Sequence, residues 1–137
     1  MEPVDLPRAV IVDDNLMFAM MIEPQLRRLG YQVRTVSTAP VSPDVFASPA
    51  PDLLVVNMTS TRFSAADLIR EVRARPELAK VPVIGYAGHV EREHFQAGRD
   101  AGADLVVPNS AVRASLAEVL EKLKRRLAGE PDEAVNA

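Results

Sequence analysis

Short apolar runs alternate with longer segments of helical periodicity along this chain. Four runs are rich in Val, Leu and Ile and too short for helices, so each predicts a buried strand. A fifth, more mixed strand is predicted from its β-branched residues. The five predicted strands are 9–12, 31–36, 53–56, 82–86 and 105–107. Strands that alternate with helices predict an α/β fold with a parallel sheet covered on both faces.

The segments between these strands predict the helices. Apolar spacing predicts a helix over Leu16–Leu29 that ends at Gly30, with a kink or break near Ile22 caused by Pro24. Ser64, with Asp67 three positions later, begins a second helix in a capping-box arrangement. A third helix is predicted over Glu91–Ala101, where acidic residues in the first turn suit the helix dipole.

Two further segments complete the predicted organisation. Ser110 is expected to cap a last helix with an apolar inner face. That face would carry Val112, Leu116, Val119, Leu120, Leu123 and Leu127. Segment 38–52 contains four prolines and is predicted to be a loop with one turn around 44–47.

Composition sets the class of protein. The 137 residues suit one domain, expected over 8–127, with a flexible N-terminus at 1–7 and a disordered acidic tail at 128–137. Aromatic residues are 4% of the chain, so the core must be aliphatic. The net charge of -3 argues against nucleic-acid binding. The absence of Cys, of a long apolar stretch and of a secretion signal predicts a cytoplasmic protein without membrane contact.

Polar residues follow several of the predicted strands. In an open parallel sheet the site lies at the carboxyl ends of the strands. That edge would bring together Asp13, Asp14, Asn57, Ala87 and Asn109. Two adjacent carboxylates after a buried strand need a cation, a basic side chain, backbone donors or solvent. The pair therefore predicts either a Mg²⁺ site or a solvated helix cap. Asn57 alone indicates little, because Asn is common at strand ends.

Other site chemistries find no support in the sequence. No glycine-rich phosphate loop of the known spacings occurs, which argues against nucleotide binding by those routes. His89 and His94 are five residues apart and do not share a helix face, so a zinc site is not expected. No serine lies in a nucleophile-elbow context. We therefore expect no enzymatic activity.

The order of these segments resembles the response-regulator receiver domains, the CheY-like family, over nearly all of Arg8–Leu127. The matching pieces are AVIVDDN at 9–15, PDLLVVNM at 51–58, DLIREVRARPELAKVPVIGYAG at 67–88 and AGADLVVPNS at 101–110. The resemblance implies a flavodoxin-like (βα)5 fold, a doubly wound parallel sheet of strand order 2-1-3-4-5. It also implies a role in two-component signal transduction.

The resemblance assigns a role to each strand-end residue, and most of these roles are lost here. In such receivers the acids matching Asp13 and Asp14 hold Mg²⁺, and an Asp at the position of Asn57 accepts the phosphoryl group. A Thr or Ser is found at the position of Ala87, and a Lys at that of Asn109. Since a carboxamide is a very poor nucleophile, the pattern predicts a degenerate phosphorylation pocket without catalytic residues.

The changed pocket also bears on metal binding. With two carboxylates in place of three, Mg²⁺ binding by Asp13 and Asp14 is expected to be weak, with no other cofactor. The Asn57 NH₂ group is expected to donate toward Asp13 or Asp14 and partly replace the cation.

These points predict a phosphorylation-independent pseudo-receiver that acts through a signalling protein partner. Receivers commonly use their fourth helix, fifth strand and fifth helix for partners and symmetric dimers, here 91–101, 105–107 and the last helix. The candidate residues on or beneath this partner face are Val90, Phe95, Val106 and Val112. Val106 also replaces the switch aromatic of such receivers. Two alternatives stay open: phosphorylation of Asp13 or Asp14, and a small flavodoxin-like domain that binds a nucleotide or flavin.

Overall fold

A five-stranded parallel sheet forms the centre of the molecule. The computed structural model describes residues 6–38, 41–88 and 92–130. The strands are β1 (Arg8–Val12), β2 (Gln32–Val36), β3 (Leu53–Asn57), β4 (Val83–Ala87) and β5 (Leu105–Pro108). All pair in parallel, in the order β2-β1-β3-β4-β5. The predicted strand order and flavodoxin-like fold are therefore confirmed.

Helices cover both faces of this sheet. They are α1 (Leu16–Arg28), α2 (Ala65–Ala74), α3 (Arg92–Ala101), α4 (Asn109–Ala114) and α5 (Leu116–Leu127). Side chains of α1, α4 and α5 pack on one face, and those of α2 and α3 pack on the other. Alternate residues of each strand enter the two clusters, as the pleat requires. Both clusters consist mainly of Val, Leu, Ile and Ala, as the low aromatic content predicted.

The last helix differs from the prediction. Ser110 lies inside α4, and the chain breaks at Ser115, whose hydroxyl caps α5 by accepting the Glu118 N–H. The break exposes backbone groups that Gln25 of α1 satisfies: its amide donates to Val112 O at 3.1 Å and accepts the Leu116 N–H at 2.9 Å. A side chain from a distant helix thus makes two short helices possible, which local spacing cannot reveal. Leu127 is half exposed rather than on the inner face.

Helix α1 extends from Leu16 to Arg28, one residue short of the predicted end at Leu29. It continues through Pro24, so of the predicted kink or break near Ile22 the break does not occur. Ile22 and Leu26 on either side of the proline are fully buried against the sheet. Packing of this face offsets the backbone hydrogen bond that proline removes. Gly30, at φ +97°, ends the helix as predicted.

The proline-rich connection from β2 to β3 has no α-helix in its described residues. It contains a single 3₁₀ turn, Pro43–Val45, close to the turn that the sequence predicted. Phe46, directly after the turn, is buried in the cluster beneath α2. This face of the sheet is therefore covered near β1 and β2 by an irregular segment.

The predicted terminal segments fall largely outside the described residues, since 1–5 and 131–137 are not described. Among the described helices, none has the length and apolar character that crossing a membrane requires.

Candidate functional site

Asp13 lies at the carboxyl end of β1, where the central strands bring polar side chains together. Its backbone N–H donates to Val36 O of the neighbouring strand at 3.1 Å, so the sheet fixes its position. Its exposure is 0%. A carboxylate removed from water must be compensated by donors or a cation.

Three donors from this chain point at the Asp13 carboxylate. The Asn57 amide Nδ2 lies 2.9 Å from Oδ1, and the Asn15 backbone N–H donates to the same oxygen at 2.8 Å. The Tyr86 hydroxyl donates to Oδ2. The hydrogen bond that we expected from Asn57 is present. We call Asp13, Asn57 and Tyr86 the Asp13 cluster.

Tyr86 was not among the residues that the sequence indicated for this site. Its ring is buried within β4 and stacks on Phe18 of α1, with 5.0 Å between ring centroids. Burial, followed by the charge of Asp13 and the hydrogen bond to it, raises the pKa of Tyr86 far above its usual value. The phenol therefore stays neutral and remains a donor. A tyrosine in an otherwise apolar strand was the available signal, because a buried hydroxyl needs a partner.

Asn57 is held in one orientation. Its carbonyl Oδ1 accepts the Thr59 backbone N–H at 2.9 Å and the Thr59 hydroxyl at 2.8 Å. With the oxygen occupied in this way, the NH₂ group faces Asp13. The end of β3 therefore presents a hydrogen-bond donor. The receiver domains that this sequence resembles have a carboxylate at the same position.

Asp14 is placed differently from its neighbour. Its side chain is 19% exposed, and Arg62 Nε lies 3.7 Å from Oδ2. Because the Arg62 side chain is mostly in solvent, this ion pair contributes little to stability. Asp14 is thus the accessible carboxylate of the pair, and Asp13 is the enclosed one.

The other predicted site residues do not join the Asp13 cluster. Ala87 is the last residue of β4, and its methyl group is buried in the apolar cluster facing α2 and α3. Tyr86, its neighbour, belongs to the opposite face. Asn109 begins α4, and its Oδ1 is a buried side-chain oxygen without a hydrogen-bond partner among the described residues.

The donor set does not fit a Mg²⁺ ion bound as the resemblance implied. Both Asp13 oxygens already accept hydrogen bonds, and the Asn57 oxygen faces Thr59. Within the described residues, no three His, Cys, Asp or Glu side chains are grouped to hold a metal. A cation would have to displace these hydrogen bonds to reach Asp13.

The predicted partner-face residues lie mostly below the surface. Val106 and Val112 are buried in the two core clusters, and Phe95 is half-buried. Val106 packs against α3 so closely that a Cβ built on Gly98 would lie 2.9 Å from its Cγ2. Val90 lies outside the described residues. Val106 and Val112 therefore lie beneath the predicted partner face and contribute little exposed area to it.

An exposed apolar surface is found instead on α1. Met17 is 80% exposed and Met20 is 67% exposed, and Leu16 and Met21 beside them are about half exposed. Residues at this spacing share one side of a helix. We call these four residues the α1 apolar face. A contiguous patch of large apolar side chains is typical of an interaction surface.

The fold and the position of the Asp13 cluster are those of a flavodoxin-like α/β domain with polar side chains at the carboxyl ends of its strands. Comparison with known proteins agrees with this class. No protein-family model matches the chain. The phosphate regulon transcriptional regulatory protein PhoB of Rhizobium meliloti is 26% identical over 121 residues, 88% of this chain and 53% of the relative. Response regulator MprA of Mycobacterium ulcerans is 26% identical over 130 residues, 95% of this chain and 55% of the relative. The chain thus spans about half the length of these relatives.

Solved structures show the same fold. A CheY-like response regulator receiver domain protein from Methanospirillum hungatei superposes with a TM-score of 0.74 at 21% identity, covering 91% of this chain and 99% of that one. Chemotaxis protein CheY4 of Vibrio cholerae gives 0.76 at 17% identity, with 87% and 99% covered. The chain is thus similar in sequence to response regulators and similar in fold to CheY-like receiver domains.

Proposed function

We propose that this chain is a pseudo-receiver, which acts in signal transduction through protein contacts and without phosphorylation at the end of β3. The observation that carries the proposal is the hydrogen bond from Asn57 Nδ2 to the buried Asp13 carboxylate. The residue at the phosphoacceptor position is engaged as a donor, and it has no nucleophilic oxygen to offer.

The electrostatics of the Asp13 cluster support the same proposal. Asn57, Tyr86 and the Asn15 N–H supply to Asp13 the compensation that a cation gives to clustered carboxylates. Asn109 adds no positive charge, and Ala87 adds no hydroxyl. A phosphoryl group would therefore meet neither a nucleophile nor the groups that stabilise its charge.

Protein contact is the remaining route of action, and the α1 apolar face supplies a surface for it. The similarity to response regulators makes a signalling protein the partner class that we favour. Met side chains are flexible and polarisable, which suits a surface that adapts to its partner. The symmetric dimer through α3, β5 and the last two helices stays a prediction that light scattering can test.

Intact-mass measurement after incubation with acetyl phosphate and Mg²⁺ tests the proposal. We expect no adduct of about 80 Da, the mass of one phosphoryl group, on the parent chain. The double variant Asn57→Asp, Asn109→Lys restores the nucleophile and the positive charge and serves as the labelled control, and Ala87 is kept because its side chain lies in the apolar cluster on the other face. Because these groups act as a unit, Asn57→Asp alone should be labelled much less than the double variant.

Efficient labelling of the parent would contradict the proposal. Asp14 is the acceptor to examine in that case, because its carboxylate is partly exposed whereas Asp13 is enclosed. Loss of the adduct in Asp14→Asn would then assign phosphorylation to Asp14. A nucleotide or flavin in the absorbance spectrum of the purified protein would instead favour a ligand-binding flavodoxin-like domain.

A further inference from the structure

A groove of 270 Å³ lies over β1 and β2 at the edge of the sheet, bounded by segment 46–51. The groove follows from the β2–β3 connection, whose described residues form a 3₁₀ turn instead of a helix. Segment 46–51 is irregular and contains two prolines, so it covers less of the sheet than a helix at the same position would. The groove lies on the sheet face opposite α1 and away from the carboxyl ends of the strands.

The walls of this groove combine apolar and cationic groups. Val10 and Phe46 are buried side chains that line its inner part, and Pro49 lies on its outer wall. Arg8 and Arg34 are exposed at its mouth. The Arg34 guanidinium is held there by a hydrogen bond from Nη1 to Val45 O at 2.8 Å.

The register of the sheet places both arginines on the same side. Val10 pairs with Arg34, and Arg8 lies two residues before Val10 on the same strand. One interstrand spacing and two residues of rise separate their Cα atoms by about 8 Å. Arginine side chains are long enough that two of them with Cα atoms at this separation can reach one carboxylate, which guanidinium binds in bidentate geometry.

We propose that this groove binds a small carboxylate with an apolar body. Arg8 and Arg34 recognise the carboxylate, and Val10 and Phe46 contact the apolar body. The volume is just below the usual lower limit of about 300 Å³ for ligand pockets, which selects a ligand of roughly one ring or one branched chain. The site does not use the Asp13 cluster, so this proposal is independent of the pseudo-receiver function.

Amide chemical-shift mapping by NMR, with 3-phenylpropionate as the probe, tests the proposal on the full chain. We expect shifts confined to 8–10, 32–34 and 46–48. The neutral amide of the probe and inorganic phosphate are matched controls that each lack one half of the recognised chemistry. Each should bind at least about tenfold more weakly, since a charge-assisted hydrogen bond or a buried ring is lost.

Variants of Arg8 and Arg34 provide a second test of ligand binding to the groove. Arg8→Gln and Arg34→Gln should each weaken binding of 3-phenylpropionate by about tenfold. Arg28→Gln removes the same charge from α1, on the other face of the sheet, and should leave binding unchanged. If Arg34→Gln disturbs the segment around Val45, Arg8→Gln decides the outcome. Equal binding of the amide or phosphate, an equal loss in Arg28→Gln, or no shifts in the groove would each overturn the proposal.

Discussion

The Asp13 cluster and the α1 apolar face begin three residues apart in the chain, yet they have opposite properties. Asp13 is excluded from water, and each of its oxygens accepts a hydrogen bond from this chain. Leu16, Met17, Met20 and Met21 face solvent. The Asp13 carboxylate thus has its hydrogen-bond partners within the chain, whereas the apolar side chains of the neighbouring helix surface remain in contact with solvent.

This difference indicates where an interaction can gain free energy. A ligand at the Asp13 cluster would have to replace existing hydrogen bonds, and the net gain from such an exchange is small. A partner on the α1 apolar face would remove apolar area from water, a favourable term of about 25 cal/mol for each Å² from which the cost of association is subtracted. At this end of the sheet, the exposed helix surface is therefore better suited to an interaction than the Asp13 cluster is.

The largest effect is expected from a second carboxylate in the Asp13 cluster. Asn57→Asp replaces the Nδ2 donor, 2.9 Å from Asp13 Oδ1, with a negative oxygen. We expect unfolding in urea to show a loss of about 3–5 kcal/mol without divalent cations, because a buried charge loses its partner. Millimolar Mg²⁺ should restore part of this loss, because three carboxylates then converge on the ion.

Gln32→Glu is the matched control, since it adds the same charge at an exposed position of β2. It should change the free energy of unfolding little, with or without Mg²⁺. Tight Mg²⁺ binding to the parent in calorimetry would contradict our account of the cluster.

A smaller effect is expected when only the tyrosine hydroxyl is removed. Tyr86→Phe keeps the ring stacked on Phe18 and deletes the donor to Asp13 Oδ2. We expect a loss of about 1.5–3 kcal/mol, the range for a hydrogen bond to a charged group. Thermal and urea unfolding measure it, with Tyr31→Phe as the control at a half-buried site. Equal losses in the two variants would argue against a special role for Tyr86.

High pH should weaken the fold through the same residue. The folded state raises the pKa of Tyr86 far above that of the unfolded chain, mainly through burial and Asp13. The stabilisation is therefore complete below about pH 10 and is lost above it, by up to about 1.4 kcal/mol per pH unit.

In Tyr31→Phe, Tyr86 is the only tyrosine, so tyrosinate absorbance reports on it alone. The absorbance should rise together with unfolding, and the matching Tyr86→Phe variant should lose less stability over this pH range. Ionisation in the folded state near pH 10 would contradict the prediction.

The smallest effect on stability is expected on the α1 apolar face. Met17→Gln with Met20→Gln should change the free energy of unfolding by less than about 0.5 kcal/mol, because both side chains are already in solvent. Met58→Gln is the same substitution at a buried position and should cost several times more. If a signalling protein binds the α1 apolar face as proposed, its binding should be lost in the double variant, and unchanged binding would show that this face is not the partner surface.

The apolar runs alone predicted four of the five strands, because a buried parallel strand needs continuous β-branched and aliphatic residues on both faces. Strand ends also predicted that Asp13 and Asn57 would meet, since parallel strands bring their carboxyl ends to one edge. Ala87 failed to join them because the pleat turns its side chain to the opposite face from Tyr86. A pairing register shifted by one residue would exchange these two faces.

The remaining differences depend on contacts between distant residues. Helical apolar spacing continues from 110 to 127 and hides the break, although Ser115 with Glu118 three positions later is a local signal for a new helix start. Pro24 predicts a break by its own chemistry, yet Ile22 and Leu26 are held by the sheet. The Tyr86 hydroxyl meets a carboxylate 73 positions earlier. These effects depend on tertiary contacts, so the secondary-structure propensity of the local sequence does not predict them.

The two hydrogen bonds that the Gln25 side chain makes with Val112 and Leu116 also affect the folding kinetics. The Gln25 amide joins groups 87 and 91 positions away, and because contacts at such separations carry a large loop-closure cost, we expect both hydrogen bonds to form late in folding. Interactions that form after the transition state slow unfolding and leave the folding rate nearly unchanged. Gln25→Ala should therefore shorten the lifetime of the native state in stopped-flow unfolding while the chain still folds at its original rate.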